Sequence, residues 1–231
     1  MSAEGLDNSM LEPRHQFAER LFDLEQDLIR LGSVAARMLQ KAMRSLKDTD
    51  TALAREVIDE DDVADDLDLH IETRCMRLLA QQQPMARDLR TIGSILKAIA
   101  DLERVADFSC DIALEVIHLA EELRYEPPAR LFGMGDKVFQ MVLDTLDCFS
   151  SRDLDAVQRL CTTQDDEIDD LYREITDELL AHMKEEPTVV TQAARLLFVA
   201  HYLERIADHC TNVGERIHYI ETGQLKQLNV P

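Results

Sequence analysis

Apolar side chains recur along most of the chain at alternating steps of three and four residues, which is the spacing of one face of an amphipathic helix. The first seam uses positions 21, 24, 28, 31, 35, 38, 42 and 46 and predicts a helix over about 13–47. The polar segment 48–50 interrupts this seam. Because Asp at such a break accepts hydrogen bonds from free backbone N–H groups, the segment also predicts the N-cap of a second helix.

Five more seams follow. The second runs over 53–78 and ends at Gln83-Pro84, and the third runs over 89–117 and ends at the proline-rich segment 125–128. The seams over 138–149, 157–175 and 196–217 indicate helices that stop at 150–153, at Glu186-Pro187 and near Thr222. Long helices joined by short connections become antiparallel neighbours, so the pattern predicts an all-α bundle of six long helices.

Two segments of the chain are repeated. DDVADDL at 61–67 matches DDEIDDL at 165–171 in five of seven positions, and LERVADFSCDIA at 102–113 lines up with LERIADHCTNVG at 203–214. The two offsets are 104 and 101 residues. The sequence therefore predicts two tandem repeats of a three-helix bundle, over 11–125 and 129–222, and a loose tail over 223–231. One continuous six-helix body and two abutting three-helix bundles both agree with this pattern.

Composition narrows the function classes. The chain has 46 Asp and Glu against 25 Lys and Arg, a net charge of −21, which argues against binding to nucleic acid or to anionic lipid. It has 7 Gly, 6 Pro and no Trp, which favours helices over sheets. The first ten residues do not form a signal peptide, and no apolar run reaches the roughly 20 residues that span a bilayer. Five cysteines without a Cys-x-x-Cys pair indicate a reduced, cytoplasmic protein with buried thiols.

The acidic residues are concentrated in the repeated segments. Glu103, Asp107 and Asp111 follow at steps of four in the third predicted helix, and Glu204 and Asp208 do so in the sixth. Side chains at i and i+4 share one helix face, where like charges repel unless a cation neutralises them. The preceding helices add further candidate metal ligands: Asp61, Asp62, Asp65, Asp66, Asp165, Asp166, Asp169 and Asp170. These faces agree equally with metal binding and with simple solvation.

Catalytic chemistry has little support. Glu115-x-x-His118 and Glu215-x-x-His218 resemble the ligand spacing of ferritin-like di-iron enzymes, but the repeat alignment does not make the two motifs equivalent. The chain has no Gly-x-Ser-x-Gly motif and no glycine-rich phosphate loop, so we expect a protein that is not an enzyme. A basic stripe on the first helix, at 37, 41 and 44, either meets an acidic partner or is solvated.

The segments QQPMARDLR at 82–90, LERVADFSCDIA at 102–113, LERIADHCTNVG at 203–214 and GERIHYIETGQL at 214–225 resemble the PhoU family of phosphate-signalling regulators. The resemblance covers the chain from about residue 11 and includes the duplication. It implies a cytoplasmic homodimer of helical bundles that regulates the phosphate-starvation response negatively. It also implies two partners, the ATPase subunit of the phosphate-specific ABC transporter and a sensor histidine kinase. These partners would place the protein at the inner face of the membrane.

The resemblance further implies a multinuclear metal cluster, of iron or of zinc, nickel or magnesium, on the Glu/Asp-x-x-x-Asp motifs. Its ligands would be Glu103, Asp107 and Asp111 in the first repeat and Glu204 and Asp208 in the second, with the acidic pairs at 61–66 and 165–170. The chain departs from this pattern at Asn212, which stands where a third acid would match Asp111. A neutral oxygen there predicts a weaker second site. A ferritin-like metalloenzyme and a metal-free structural dimer are the alternative functions.

Overall fold

The computed structural model describes residues 4–81, 84–121 and 126–229, with side chains from Arg14 onward. The described residues form eight α-helices and no strand. They are α1 (Glu4–Asp48), α2 (Thr51–Asp59), α3 (Asp61–Gln81), α4 (Arg87–Ala120), α5 (Ala129–Ser151), α6 (Leu154–Arg159), α7 (Asp165–Glu185) and α8 (Val190–Thr222). A single residue separates α2 from α3, and a π-helical stretch (Leu160–Gln164) joins α6 to α7. The eight helices therefore build six rods, and the all-α prediction is confirmed.

The same turn starts the second rod of each repeat. Asp50 caps α2 by accepting hydrogen bonds from the backbone N–H groups of residues 52 and 53, and Asp153 caps α6 in the same way. Each cap follows a residue with a left-handed backbone, Thr49 at φ 53° and Arg152 at φ 58°. The break that the sequence predicts at 48–50 is thus an N-cap, and the second repeat copies it.

The helices α4 and α8 lie side by side at the centre of the molecule and run antiparallel. The Arg90 guanidinium donates to the Ile220 carbonyl oxygen at 3.1 and 3.2 Å near one end. The Glu115 carboxylate accepts from Arg195 at 3.0 Å near the other end. Most seam positions of α1, α4 and α8 fill the core, Leu21, Leu96 and Ile117 pack against it partly buried, and Leu89 is 50% exposed. The two repeats therefore share one core, and the six-helix body is the arrangement that forms.

The second repeat has one additional residue between its cap and its acidic motif. The caps are 103 residues apart, whereas Asp61 and Asp165 are 104 apart. A π-helical turn accommodates one extra residue within a helix, and the stretch Leu160–Gln164 lies at this point. Gly214 of α8 packs against it so closely that a Cβ atom would lie 2.5 Å from the Cys161 Sγ. This close approach places Asp165 against α8.

The structure corrects two details of the sequence prediction. The backbone of α1 is helical from Glu4 rather than from about residue 13. The tail is not loose, because Leu228 is only 7% exposed and its N–H donates to the Glu215 Oε1 at 3.0 Å. Gln83, Tyr125 and the last two residues lie outside the described residues, so the boundary at 125 stays a prediction.

Two further predictions concern the cysteines and membrane-spanning segments. All five thiols are buried and free, as predicted. Within the described residues, no helix carries an apolar stretch long enough to cross a bilayer.

Candidate functional site: two acidic clusters

The first acidic cluster consists of Asp61 and Asp65 on α3 and Glu103, Asp107 and Asp111 on α4. The pKa of Asp61 is raised by burial and then by the charges of Asp107 and Asp65. Burial and the neighbouring charges of Asp107 and Asp65 also raise the pKa of Glu103. The first turns of α3 therefore bring their carboxylates against the acidic face of α4.

The second acidic cluster consists of Asp165 and Asp169 on α7 and Glu204 and Asp208 on α8. The pKa of Asp169 is raised by burial and then by the charge of Asp208. Equivalent carboxylates therefore influence one another electrostatically in both repeats.

The other candidate pairs point away from these clusters. Asp62 and Asp66 are exposed on the solvent side of α3, and Asp166 and Asp170 are exposed on α7. Asp170 instead accepts from Arg173 at 2.7 Å. One of the two predicted pairs on each helix faces α4 or α8, and the other faces water.

Burial raises the carboxyl pKa values more in the second cluster than in the first. The pKa of Glu204 rises from 4.5 to about 7, first by desolvation and then by the charges of Asp208, Asp169 and Asp165, against the lowering effect of Arg205. The pKa of Asp165, which is 3% exposed, rises from 3.8 to about 6, again chiefly by desolvation. The ionised forms of both groups are thus unfavourable in the fold.

Each cluster contains a buried carboxylate oxygen that makes no hydrogen bond with the described residues, Asp61 Oδ1 in the first and Glu204 Oε2 in the second. Glu204 Oε2 nevertheless lies 3.5 Å from the His201 Nδ1. The neighbouring hydrogen-bond donors differ between the repeats, although the Cys110 thiol also interacts with Asp61 and lowers its pKa. The Thr211 hydroxyl donates to Asp165 Oδ1 at 3.1 Å, whereas the thiol of the equivalent Cys110 donates to the Val57 carbonyl oxygen at 3.6 Å. Unpaired buried oxygens of this kind are costly, and a cation or water satisfies them.

An arginine in each repeat partly neutralises its cluster. The Arg104 Nη1 lies 2.6 Å from Asp107 Oδ2, and the Arg205 Nη1 lies 2.5 Å from Asp208 Oδ2. Both pairs join residues three apart on one helix, at positions related by the 101-residue offset. The positive charge that the acidic faces require is therefore supplied in part by the chain itself.

The carboxylate oxygens of both acidic clusters are of a chemical type that binds metal ions. Clustered carboxylates are ligands for hard cations, and the Asp61 Oδ1, which makes no hydrogen bond with the described residues, is a candidate ligand atom. The side chains are not gathered around a common point, since no group of three or more Asp, Glu, His or Cys among the described residues is arranged to hold a metal. Arg104 and Arg205 occupy one oxygen each of Asp107 and Asp208 and would compete with a cation for these carboxylates. The metal site stays a prediction.

Asn212, where the sequence departs from the acidic pattern, has another partner. Its side-chain amide donates to Asp101 Oδ1 of α4 at 3.1 Å, and the His209 Nδ1 lies 2.9 Å from the same oxygen. Asn212 therefore links the two repeats. The repeat comparison missed Asp101, because its equivalent is Tyr202.

Asp68, Thr211 and Asn229 were also missed. Asp68 completes the face of α3 that Asp61 and Asp65 begin, and its charge raises the pKa of Glu103. Asn229 of the tail donates to Asp165 Oδ2 from 64 residues away. Asp68 follows Asp65 by three residues, which is also a same-face spacing on a helix, so the sequence signals it. No local signal identifies the tail contact.

The alternative prediction, a ferritin-like di-iron site built from the Glu115 and Glu215 motifs, is wrong. Glu115 pairs with Arg195, which precedes Glu215 by 20 residues on α8, so the two glutamates lie about 30 Å apart at 1.5 Å per residue. They cannot share a di-iron site. Glu215 binds the tail instead.

The basic stripe on α1 is used within the chain. The Lys41 ammonium lies 2.5 Å from Glu60 Oε1, and Arg37 Nε lies 3.8 Å from Glu60 Oε2. Arg44 pairs at 3.6 Å with Asp48 on its own helix. Lys41 is therefore engaged within the chain, whereas the Arg37 and Arg44 side chains stay 52% and 75% exposed.

Comparisons with known proteins agree with this frame. The PhoU domain family matches the chain twice, over residues 28–116 and 131–217. A phosphate-specific transport system accessory protein PhoU homolog from Clostridium acetobutylicum is 39% identical over 217 residues, which cover 94% of this chain and 99% of the relative.

Two solved structures are similar in fold. The phosphate transport system regulatory protein PhoU from Streptococcus pneumoniae superimposes with a TM-score of 0.85 at 31% identity, over 91% of this chain and 99% of its own. PhoU from Pseudomonas aeruginosa superimposes with a TM-score of 0.84 at 32% identity, over 90% of this chain and 100% of its own. Both repeats, their order and nearly the full length are matched, and the chain belongs to the PhoU family.

Proposed function

We propose that this chain is an accessory regulator of phosphate transport that represses the phosphate-starvation response when phosphate is plentiful. The observation that carries the proposal is the match of both repeats to proteins named as accessory or regulatory components of phosphate-specific transport. The protein acts by binding, without turnover. In keeping with this, burial raises the pKa of the Cys75 and Cys210 thiols to about 12, which keeps them protonated and unreactive.

The protein acts as a cytoplasmic adaptor between two partners, the ATPase subunit of the phosphate-specific ABC transporter and the sensor histidine kinase. A rigid helical frame with a shared core supports this role, because it presents fixed surfaces to both. A homodimer would present each surface twice.

The acidic clusters are the proposed metal sites. Asp61, Asp65, Glu103, Asp107 and Asp111 would hold a cation in the first repeat. Asp165, Asp169, Glu204 and Asp208 would do so in the second. A bound cation supplies positive charge that offsets the repulsion within each cluster. Elemental analysis of protein purified without chelator tests this proposal, and a protein free of metal would support the metal-free structural dimer.

Gene deletion tests the regulatory role. In phosphate-replete medium, cells that lack the gene should express their phosphate-starvation genes, and the wild-type gene on a plasmid should restore repression. Unchanged repression in the deletion strain would refute the proposal. Co-purification of the tagged protein from phosphate-replete cells then identifies the partner, with the kinase and the transporter ATPase as the two expected proteins.

A further inference from the structure

A cavity of about 210 Å³ opens between α1 and α3, at the end of the first repeat away from the acidic clusters. Its lining contains three arginines and no acidic residue among the described positions: Arg20, Leu24, Arg74, Arg77, Leu78 and Gln81. The chain as a whole has 46 acidic and 25 basic residues, so the charge of this lining is opposite in sign to the net charge of the protein.

Helix geometry explains how the arginines meet. Arg20 and Leu24 lie four residues apart on α1, and Arg74, Arg77 and Leu78 lie within four residues on α3, so each set shares one helix face. Leu24 and Leu78 are buried in the core and form the apolar floor. The longer arginines extend past this floor to the rim, which leaves a cup with an apolar base and a basic edge.

The three arginines differ in how their charge is balanced. Arg74 binds Asp27 and lies 3.7 Å from Asp23, so carboxylates on α1 already compensate its charge. Arg20 donates to the neutral Gln81 Oε1 at 3.1 Å, which fixes the side chain without neutralising it. Arg77 has no hydrogen bond or ion pair with any described residue. Two guanidinium charges at this cavity are therefore available to a ligand.

The geometry suits a small oxyanion. A guanidinium presents its N–H groups in a planar fork that matches two oxygens of a phosphate or carboxylate. The cavity is several times the about 30 Å³ that one water molecule occupies, so it has room for an ion of five heavy atoms. The apolar floor offers no donor or acceptor, and recognition falls to the basic rim.

We propose that this cavity is a phosphate-binding site, in which Arg77 and Arg20 bind the oxygens and Arg74 is a supporting charge. The choice of phosphate among oxyanions rests on the proposed function. The ligand is free orthophosphate or the phosphate group of a larger small molecule, since both present the same oxygens to the rim. The site gives a phosphate-signalling protein a direct contact with the ion to which its pathway responds.

Isothermal titration calorimetry of the full-length protein with orthophosphate tests the site, at constant ionic strength maintained with chloride. We expect saturable binding at millimolar phosphate, and about tenfold weaker binding in Arg77→Gln, the effect typical of one lost charge-assisted hydrogen bond. Arg20→Gln should weaken binding similarly. Arg55→Gln is the matched control, because Arg55 is also exposed and has no ion pair or hydrogen bond within the described residues.

Titrations with pyrophosphate and ATP distinguish the two sources of phosphate, and tighter binding of either than of orthophosphate indicates a larger ligand. Absence of saturable binding by all three overturns the proposal, as does equal weakening by Arg55→Gln and Arg77→Gln. Sulfate that binds as tightly as phosphate overturns the assignment to phosphate. A deletion strain that loses repression while the protein binds no phosphate would refute this site alone and leave the proposed function intact.

Discussion

Glu204 should make the folded protein less stable as the pH rises. Its pKa is 4.5 in an unfolded chain and about 7 in the fold, chiefly because of desolvation. A folded-state pKa above the unfolded value contributes stability that is fully present below pH 4.5 and is lost as the pH rises through about 7. Each pKa unit corresponds to about 1.4 kcal/mol, so the loss at pH 8 is about 3 kcal/mol.

The substitution Glu204→Gln removes this loss, because glutamine has a similar shape and stays neutral at every pH. We expect the variant to be more stable than the wild type by about 3 kcal/mol at pH 8 and to differ little from it at pH 4.5. The glutamate side chain is only 21% exposed, so solvent screening reduces the effect modestly.

Urea unfolding followed by circular dichroism, at pH 4.5 and pH 8, measures both free energies of unfolding. EDTA must be present, since a bound cation would mask the repulsion, and protein concentration must be fixed in case the chain dimerises. Asp177→Asn on the exposed side of α7 is the control and should change little at either pH. A variant that gains no stability at pH 8, or gains equally at both values, would refute the assignment of the strain to Glu204.

Three further predictions concern the clusters and the backbone. Divalent cations should raise the melting temperature of the wild type in scanning fluorimetry, and Asp107→Asn should reduce that rise; equal rises in both would contradict metal binding at the first acidic cluster. Thr49→Gly should raise the free energy of unfolding by about 1 kcal/mol, because a β-branched residue at φ 53° is strained; no gain in urea melts would show that the turn is unstrained. Gly214→Ala should lower it by about 1–3 kcal/mol, because the added methyl would meet the buried Cys161 Sγ at 2.5 Å. Gly93→Ala, which meets nothing within 4 Å, should instead stabilise the protein, and similar effects of the two changes would contradict the packing argument.

The helices and most of the core could be predicted from the sequence, since burial on one face repeats with the helix period. Leu196, Leu203 and Ile217 are seam positions of α8, and all three are fully buried. The prediction that Leu89 is buried is wrong, because Leu89 lies in the first turn of α4, where the helix has only begun to enter the bundle.

The candidate site could be predicted only in part. The repeats identified the acidic helices, but a step of one residue turns a side chain by about 100° around the helix, and sequence alone did not decide whether Asp61 or Asp62 faces α4. The contacts of Asp165 with Asn229 and of Asp101 with His209 span 64 and 108 residues. Such contacts depend on the finished fold, and so does the cavity that joins Arg20 to Arg77.

The antiparallel pairing of α4 with α8 also bears on which repeats can pack against each other. A two-fold rotation that exchanges the repeats exchanges the contact of Asp101 with His209 for that of Phe108 with Tyr202, whose ring centroids lie 5.8 Å apart. Two copies of the first repeat, docked in this way, would place each Asp101 carboxylate against a Phe108 ring with no donor. At this contact, the first repeat is therefore a poor partner for a second copy of itself. The divergence of the two repeats at this contact favours the pairing of a first repeat with a second repeat over the pairing of two first repeats.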